Sequence, residues 1–258
     1  YGNTALYSEL RKPGSPGASL NPALGPLTGA NHIIFDGFYA NEDISCSGPN
    51  AGIFQIGNGT TGCQYRRCAF DRGNDYTGTS GYNPNAIYIE AAFDPVVTDC
   101  LFMGRIDVYP SNLRQTGNVE VYNANNYLLQ HNTHDGNFTG QYVKENDGGP
   151  TYSTYGRMCY NRFRNLQRGL IQQQGVANEI DHNLVYLCAA GDAYAPLGLV
   201  GGPVRPDKDY NIHHNTLVFG GPAHGFDFAN SEIVTSLFEN NLLYQLSGHT
   251  GRMILISG

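Results

Sequence analysis

"YNIHHNTLV", residues 210–218, sets two histidines before an asparagine inside a stretch that otherwise alternates like a strand. It has a frame: an apolar residue, two variable residues, an asparagine, one variable residue, a second apolar residue. Ile212, Asn215 and Leu217 fill it. "EIDHNLVY" repeats it with Ile180, Asn183 and Val185, "RMCYNRF" with Met158, Asn161 and Phe163, "SLFENNLL" with Leu237, Asn240 and Leu242, and "YLLQHNTH" with Leu129, Asn132 and His134. Nearer the N-terminus the central residue is small: Cys100 between Val97 and Phe102, Cys68 between Tyr65 and Phe70, Gly37 between Ile34 and Tyr39.

The eight centres are 31, 32, 32, 29, 22, 32 and 25 residues apart. A second motif, apolar–x–apolar, recurs as "FQI" at 54–56, "IYI" at 87–89, "VEV" at 119–121 and "FDF" at 226–228, each starting 13 or 14 residues before the next centre. Two phase-locked motifs at such a period mean a stacked array of similar units. The alternation has period two and the turns are dense, with 33 glycines and 13 prolines, so the units are strands. A strand with one apolar face cannot bury it alone; coils of strand and turn laid on one another can. The asparagine then belongs at a sharp bend, where it tolerates left-handed backbone angles and bonds to nearby backbone. Stacked asparagine amides would satisfy one another along the core.

The frame V-x-I-x-x-N-x-F and its asparagine ladder resemble the right-handed parallel β-helix superfamily, which includes pectate lyases, polygalacturonases, alginate-active enzymes and phage tailspikes. "EIDHNLV" at 179–185 is similar to the "WIDH" stretch of pectate lyases, without the tryptophan. The resemblance implies an all-β solenoid of about eight coils over residues 31–258, continuing past Gly258 if the chain is a piece of a longer one. Residues 1–30, rich in Pro, Gly and Ser, read as a lead-in or cap for the open end of the stack. The resemblance further implies a polysaccharide as partner, an extracellular or virion-surface location, and assembly as a trimer or larger particle. The alternative within the same fold is a non-catalytic spike, adhesin or glycan-binding module.

Composition bounds the rest. Net charge is −7 and no basic stripe exists, which excludes a nucleic-acid partner of the usual electrostatic kind. No run of 18 apolar residues is present to span a membrane as a helix. Of six cysteines, Cys68 and Cys100 share one inward slot and are expected to stack as buried thiols, while Cys46 and Cys63 could form a disulfide in an oxidising compartment.

Chemistry has three candidate places. Gln55, Tyr88, Glu120 and Asp227, the middle residues of the apolar–x–apolar motifs, should face outward as a sugar-binding row. The segment 131–150 holds His134 in a slot that is apolar elsewhere, and Lys144; with Arg105 or Arg157 these supply the base and cation that a polysaccharide lyase needs, Ca²⁺ held by the acidic loops "ANEDIS" or "DRGNDYTG" being the other possible cation. A glycosidase would need two carboxylates, Glu120 with Asp94 or Asp107. Lastly, Asp181, His182, His213 and His214 occupy equivalent slots of adjacent coils. They are either a solvated surface set or neighbours about 4.8 Å apart that share a metal or a proton.

Overall fold

The computed structural model describes residues 8–11, 28–42, 52–72, 85–104, 117–136, 139–144, 154–166, 168–173, 176–186, 197–200, 209–220, 225–229, 236–248, 250 and 253–257. Among them are 25 strands and no helix, and every strand pairing is parallel. The strands fall into three sheets of eight, eight and nine members, and successive strands of the chain pass from sheet to sheet in turn. Each coil therefore gives one strand to each sheet, and eight coils stack. Sheet I begins with Ile34–Asp36 and ends with Leu237–Glu239; sheet II runs from Phe38–Glu42 to Leu242–Gln245; sheet III runs from Gly52–Ile56 to Ile254–Ser257. The ninth strand of sheet II is Ser8–Arg11, paired with Phe38–Glu42, so part of the Pro- and Gly-rich lead-in lies along the first coil.

Period-two alternation sends one set of side chains to the axis. Tyr65, Val97, Leu129, Met158, Ile180 and Ile212 line it from sheet I; Phe70, Phe102, Phe163, Val185 and Leu217 from sheet II; Phe54, Ile56, Ile87, Ile89, Val119 and Val121 from sheet III, all buried. Exact stacking of equivalent residues puts like on like. The rings of Phe70, Phe102, His134 and Phe163 lie face to face at 5.0, 4.7 and 4.7 Å, each contact contributing about 0.5–1.5 kcal/mol beyond burial.

The bend between sheets I and II carries the ladder. Asn132, Asn161, Asn183, Asn215 and Asn241 are successive rungs. Each Nδ2 donates back to a core carbonyl of the preceding coil: Asn161 to Leu129, Asn183 to Met158, Asn215 to Ile180, Asn241 to Ile212, at 2.8–2.9 Å. Each Oδ1 accepts the backbone N–H of the rung before it at 3.0 Å. Cys68 and Cys100 hold the same slot, and their Sγ atoms donate to the corresponding carbonyls of Phe35 and Tyr65. The asparagines themselves are not left-handed. The residue before each rung is: Gly37, Arg67, Asp99, His131, Tyr160, His182, His214 and Asn240 all have φ between 53° and 74°.

This separation of roles corrects the frame at both ends. In the first coil Phe35, Phe38 and Ala40 stand in register with Tyr65, Cys68 and Phe70, and in the last Phe238, Asn241 and Leu243 stand in register with Ile212, Asn215 and Leu217. Ile34, Leu237 and Leu242, expected inside, are 47, 50 and 59% exposed. A one-residue slip exchanges the faces of a strand, and taking the left-handed Gly37 and Asn240 for rungs produced that slip. Cys63 is a buried thiol without a disulfide partner among the described residues; Cys46, with which it was expected to pair, lies outside them.

Candidate functional site

The outward side of sheet III gathers the first group. Gln55, Tyr88, Glu120 and Tyr142 are register partners on four successive coils, and the row continues through Ile171 and Gly198 to Asp227. All four expected contact residues thus share one row. Two residues along each strand a second row runs Glu90, Tyr122, Lys144. The row is partly open at Gln55 and Asp227, which are half-buried. Its middle is covered: Tyr88 is 6% exposed, Tyr142 4% and Glu120 not at all.

Glu120 is the unusual member. A carboxylate on the outward side of a solenoid would ordinarily be hydrated; this one is fully buried, with Tyr88 and Tyr142 as its register partners and Asn85, Tyr122 and Lys144 acting on its carboxyl. Burial lifts its carboxyl to about 8, against the smaller opposing pull of hydrogen bonds from Tyr122 and Asn85 and the charge of Lys144. Asn85 Nδ2 donates to Oε2, while Oε1 has no partner among the described residues. Near neutral pH the group is therefore a protonated acid with a donor to give. Burial, followed by the nearby charges of Glu90 and Glu120, also raises the Tyr88 phenol well above its ordinary value. Lys144 Nζ lies 5.7 Å from the Tyr122 ring centroid, a cation–π contact. Glu90 is half-exposed and accepts from Gln55 Nε2 at 3.5 Å.

The set built around His134 does not assemble. His134 points to the axis from sheet II, fully buried between Phe102 and Phe163, whereas Lys144 is on the outward side of sheet III. Burial drives the imidazole down to about 3, so it is neutral, and its place in the axial ring stack turns it away from any substrate on the outer faces. A neutral ring offers one donor and one acceptor. Asn118 Nδ2 lies 3.2 Å from Nδ1 and donates there. The Gln141 amide sits 3.1 Å from Nε2, and its Oε1 lacks any other partner, so the amide orientation that turns this oxygen to the ring satisfies both groups. His134 is a hydrogen-bonded rung of the aromatic stack. Arg157 belongs to a third surface, the outward side of sheet I, and Arg105 and Asp107 lie outside the described residues. Asp94 occupies an exposed left-handed turn position between sheets III and I. Of the two acidic loops, 43–45 and 73–78 lie outside the described residues as well.

On sheet I, Arg157 forks onto Asp181 with Nε–Oδ1 and Nη2–Oδ2 both at 2.8 Å, and reaches Glu179 at 3.3 Å. Burial would raise the Asp181 carboxyl, but Arg157 and the His182 Nδ1 contact at 2.8 Å outweigh it and hold the group below its usual range. His213 Nε2 meets Glu179 Oε1 at 2.9 Å, and its Nδ1 meets His214 Nδ1 at 2.8 Å. Beside them the left-handed residues form an outer stack: His131 on Tyr160 at 5.1 Å, Tyr160 on His182 at 4.8 Å, His182 on His214 at 5.0 Å.

Fold and rows together define a parallel β-helix with a covered, tyrosine-rich strip along one sheet. No family model and no curated protein matches the chain. Among solved structures it is similar to the tailspike protein of E. coli bacteriophage HK620 in complex with a pentasaccharide: TM-score 0.59, 15% identity, over 87% of this chain and 42% of that one. A point mutant of the same tailspike, also with pentasaccharide, gives TM-score 0.64 and 14% identity over 88% and 41%. The chain spans less than half the length of these tailspikes. The A-module of a mannuronan C-5 epimerase of Azotobacter vinelandii matches at TM-score 0.49, 10% identity, over 88% and 58%.

Proposed function

We propose that this chain engages a polysaccharide outside the cell or on a virion surface, along the outward side of sheet III, and cleaves it by hydrolysis. The observation that carries the reading is Glu120: a buried, protonated carboxyl with an oxygen unpartnered among the described residues, set in a row of register-matched tyrosines on a face that structure alone would leave wet. Rows repeating about every 4.8 Å suit an extended polymer. Tyrosines supply stacking faces and hydroxyls. Glu120 is the acid, and Glu90, diagonal to it on the neighbouring strand, is the second carboxylate that glycoside hydrolysis requires. The likeness to tailspikes held with a pentasaccharide supports the choice of partner.

The test is a panel of bacterial surface polysaccharides assayed for binding, for new reducing ends and for absorbance near 235 nm. Hydrolysis gives reducing ends without absorbance. Glu120→Gln should lower the rate at least about 100-fold while the polymer still binds. Absorbance rising with the reducing ends would mean elimination instead. Tight binding with no cleavage by the unaltered chain would make it a glycan-binding module. No binding at all would leave the structural spike.

A further inference from the structure

We propose that Glu179, Asp181 and His213 form a binding site for one divalent transition-metal ion, zinc by the chemistry of the set. The site lies on sheet I and does not depend on the polysaccharide reading. Glu179 and Asp181 are two apart in the strand Glu179–Asp181, so both project outward, and His213 is the register partner of Asp181 on the next coil. Regular parallel pairing thus brings one ligand atom from each within 4.8 Å of the others.

The surroundings support a cation. His213 Nε2 and Glu179 Oε1 stand 2.9 Å apart, so two of the three ligand atoms already converge on one position. The other ring nitrogen is held by His214, which fixes which edge of His213 faces the carboxylates. His214 is itself clamped, its ring 5.0 Å from that of His182 and within 6° of parallel. Two carboxylates face one guanidinium, which leaves one carboxylate charge unbalanced among these three side chains. Free coordination remains: Asp181 offers about four lone-pair directions and meets three donors, and Glu179 meets two. One imidazole with two carboxylates suits zinc, whereas calcium and magnesium favour all-oxygen shells. The ion would tie coil six to coil seven, so occupancy should be read in stability.

The test uses the full chain, stripped with chelator and titrated with zinc chloride by calorimetry and thermal unfolding. One equivalent should bind, and at a tenfold excess over the dissociation constant the Tm should rise by about 3 °C. Calcium at the same concentration should leave Tm unchanged. Glu179→Gln, nearly isosteric, and His213→Ala should each abolish the one-to-one event. His131→Ala, in the same outer stack but outside the ligand set, should bind within about twofold of the parent. The metal-free far-UV spectrum of each variant checks its fold. Absence of stoichiometric binding to the parent chain overturns the proposal, as does binding that survives in both ligand variants.

Discussion

Glu120 and His134 are opposite solutions to an ionisable group taken out of water, and each predicts its own pH dependence. The Glu120 carboxyl stands near 8 in the folded chain against 4.5 for an ordinary glutamate. A raised carboxyl favours folding most below pH 4.5, and that contribution is lost as pH climbs to 8. Glu120→Gln should therefore be more resistant to urea than the parent at pH 8.5, by on the order of 4 kcal/mol, with the gap closing towards pH 4. The His134 ring stands near 3 against 6.5. Its neutral burial stabilises fully above pH 6.5, and that stabilisation is lost as pH falls from 6.5 to 3. His134→Phe keeps the ring stack, so equilibrium unfolding across that window should show a flatter acid limb. At pH 7 the variant should be less stable by about 1–3 kcal/mol, because Asn118 and Gln141 each lose a partner.

Among elements, the bend between sheets I and II decides most. Asn161→Ala removes the donor to Leu129 and the acceptor for the Asn132 backbone, and should cost about 3 kcal/mol by denaturant titration. Asn161→Cys should cost less, since Cys68 and Cys100 reach the equivalent carbonyls from the same slot. The six central copies of the frame were legible because both apolar partners and the small or amide centre are fixed by packing. The end copies were not, because a left-handed residue and a rung stand side by side, as in Asn240-Asn241, and composition does not tell them apart. The sheet III strand Thr139–Lys144 was hidden for a related reason: its inward Gln141 is polar because it serves His134. Period two applied there would have placed Tyr142 and Lys144 in register with Glu120 and Tyr122. The row Gln55, Tyr88, Glu120, Asp227 was readable from alternation. Its burial was not, because alternation tells which way a side chain points and not what lies over it.

For the whole molecule, the outward side of sheet II exposes large apolar groups on the sixth and eighth coils, where Leu184, Tyr186, Leu242 and Tyr244 are 40–59% exposed, with Thr216 and Val218 between them. We propose that another copy covers this side in a trimer or larger assembly. Light scattering should give a mass of three or more times 28.1 kDa, and Leu242→Asp combined with Tyr244→Asp should reduce it to the monomer mass. Persistence of the assembly in the double variant would place the interface elsewhere.

The rungs also give the molecule a direction. From Asn132 to Asn215 each rung reaches back for a carbonyl already in place, yet the oxygen its own backbone N–H needs arrives with the next coil. A chain lengthening from its N-terminus would thus finish each layer by laying down the following one, as courses of brick are keyed by those above them. Tension applied at the C-terminus should undo the layers in the reverse order, one coil at a time, each release paying out a length set by the 22 to 32 residues of a repeat.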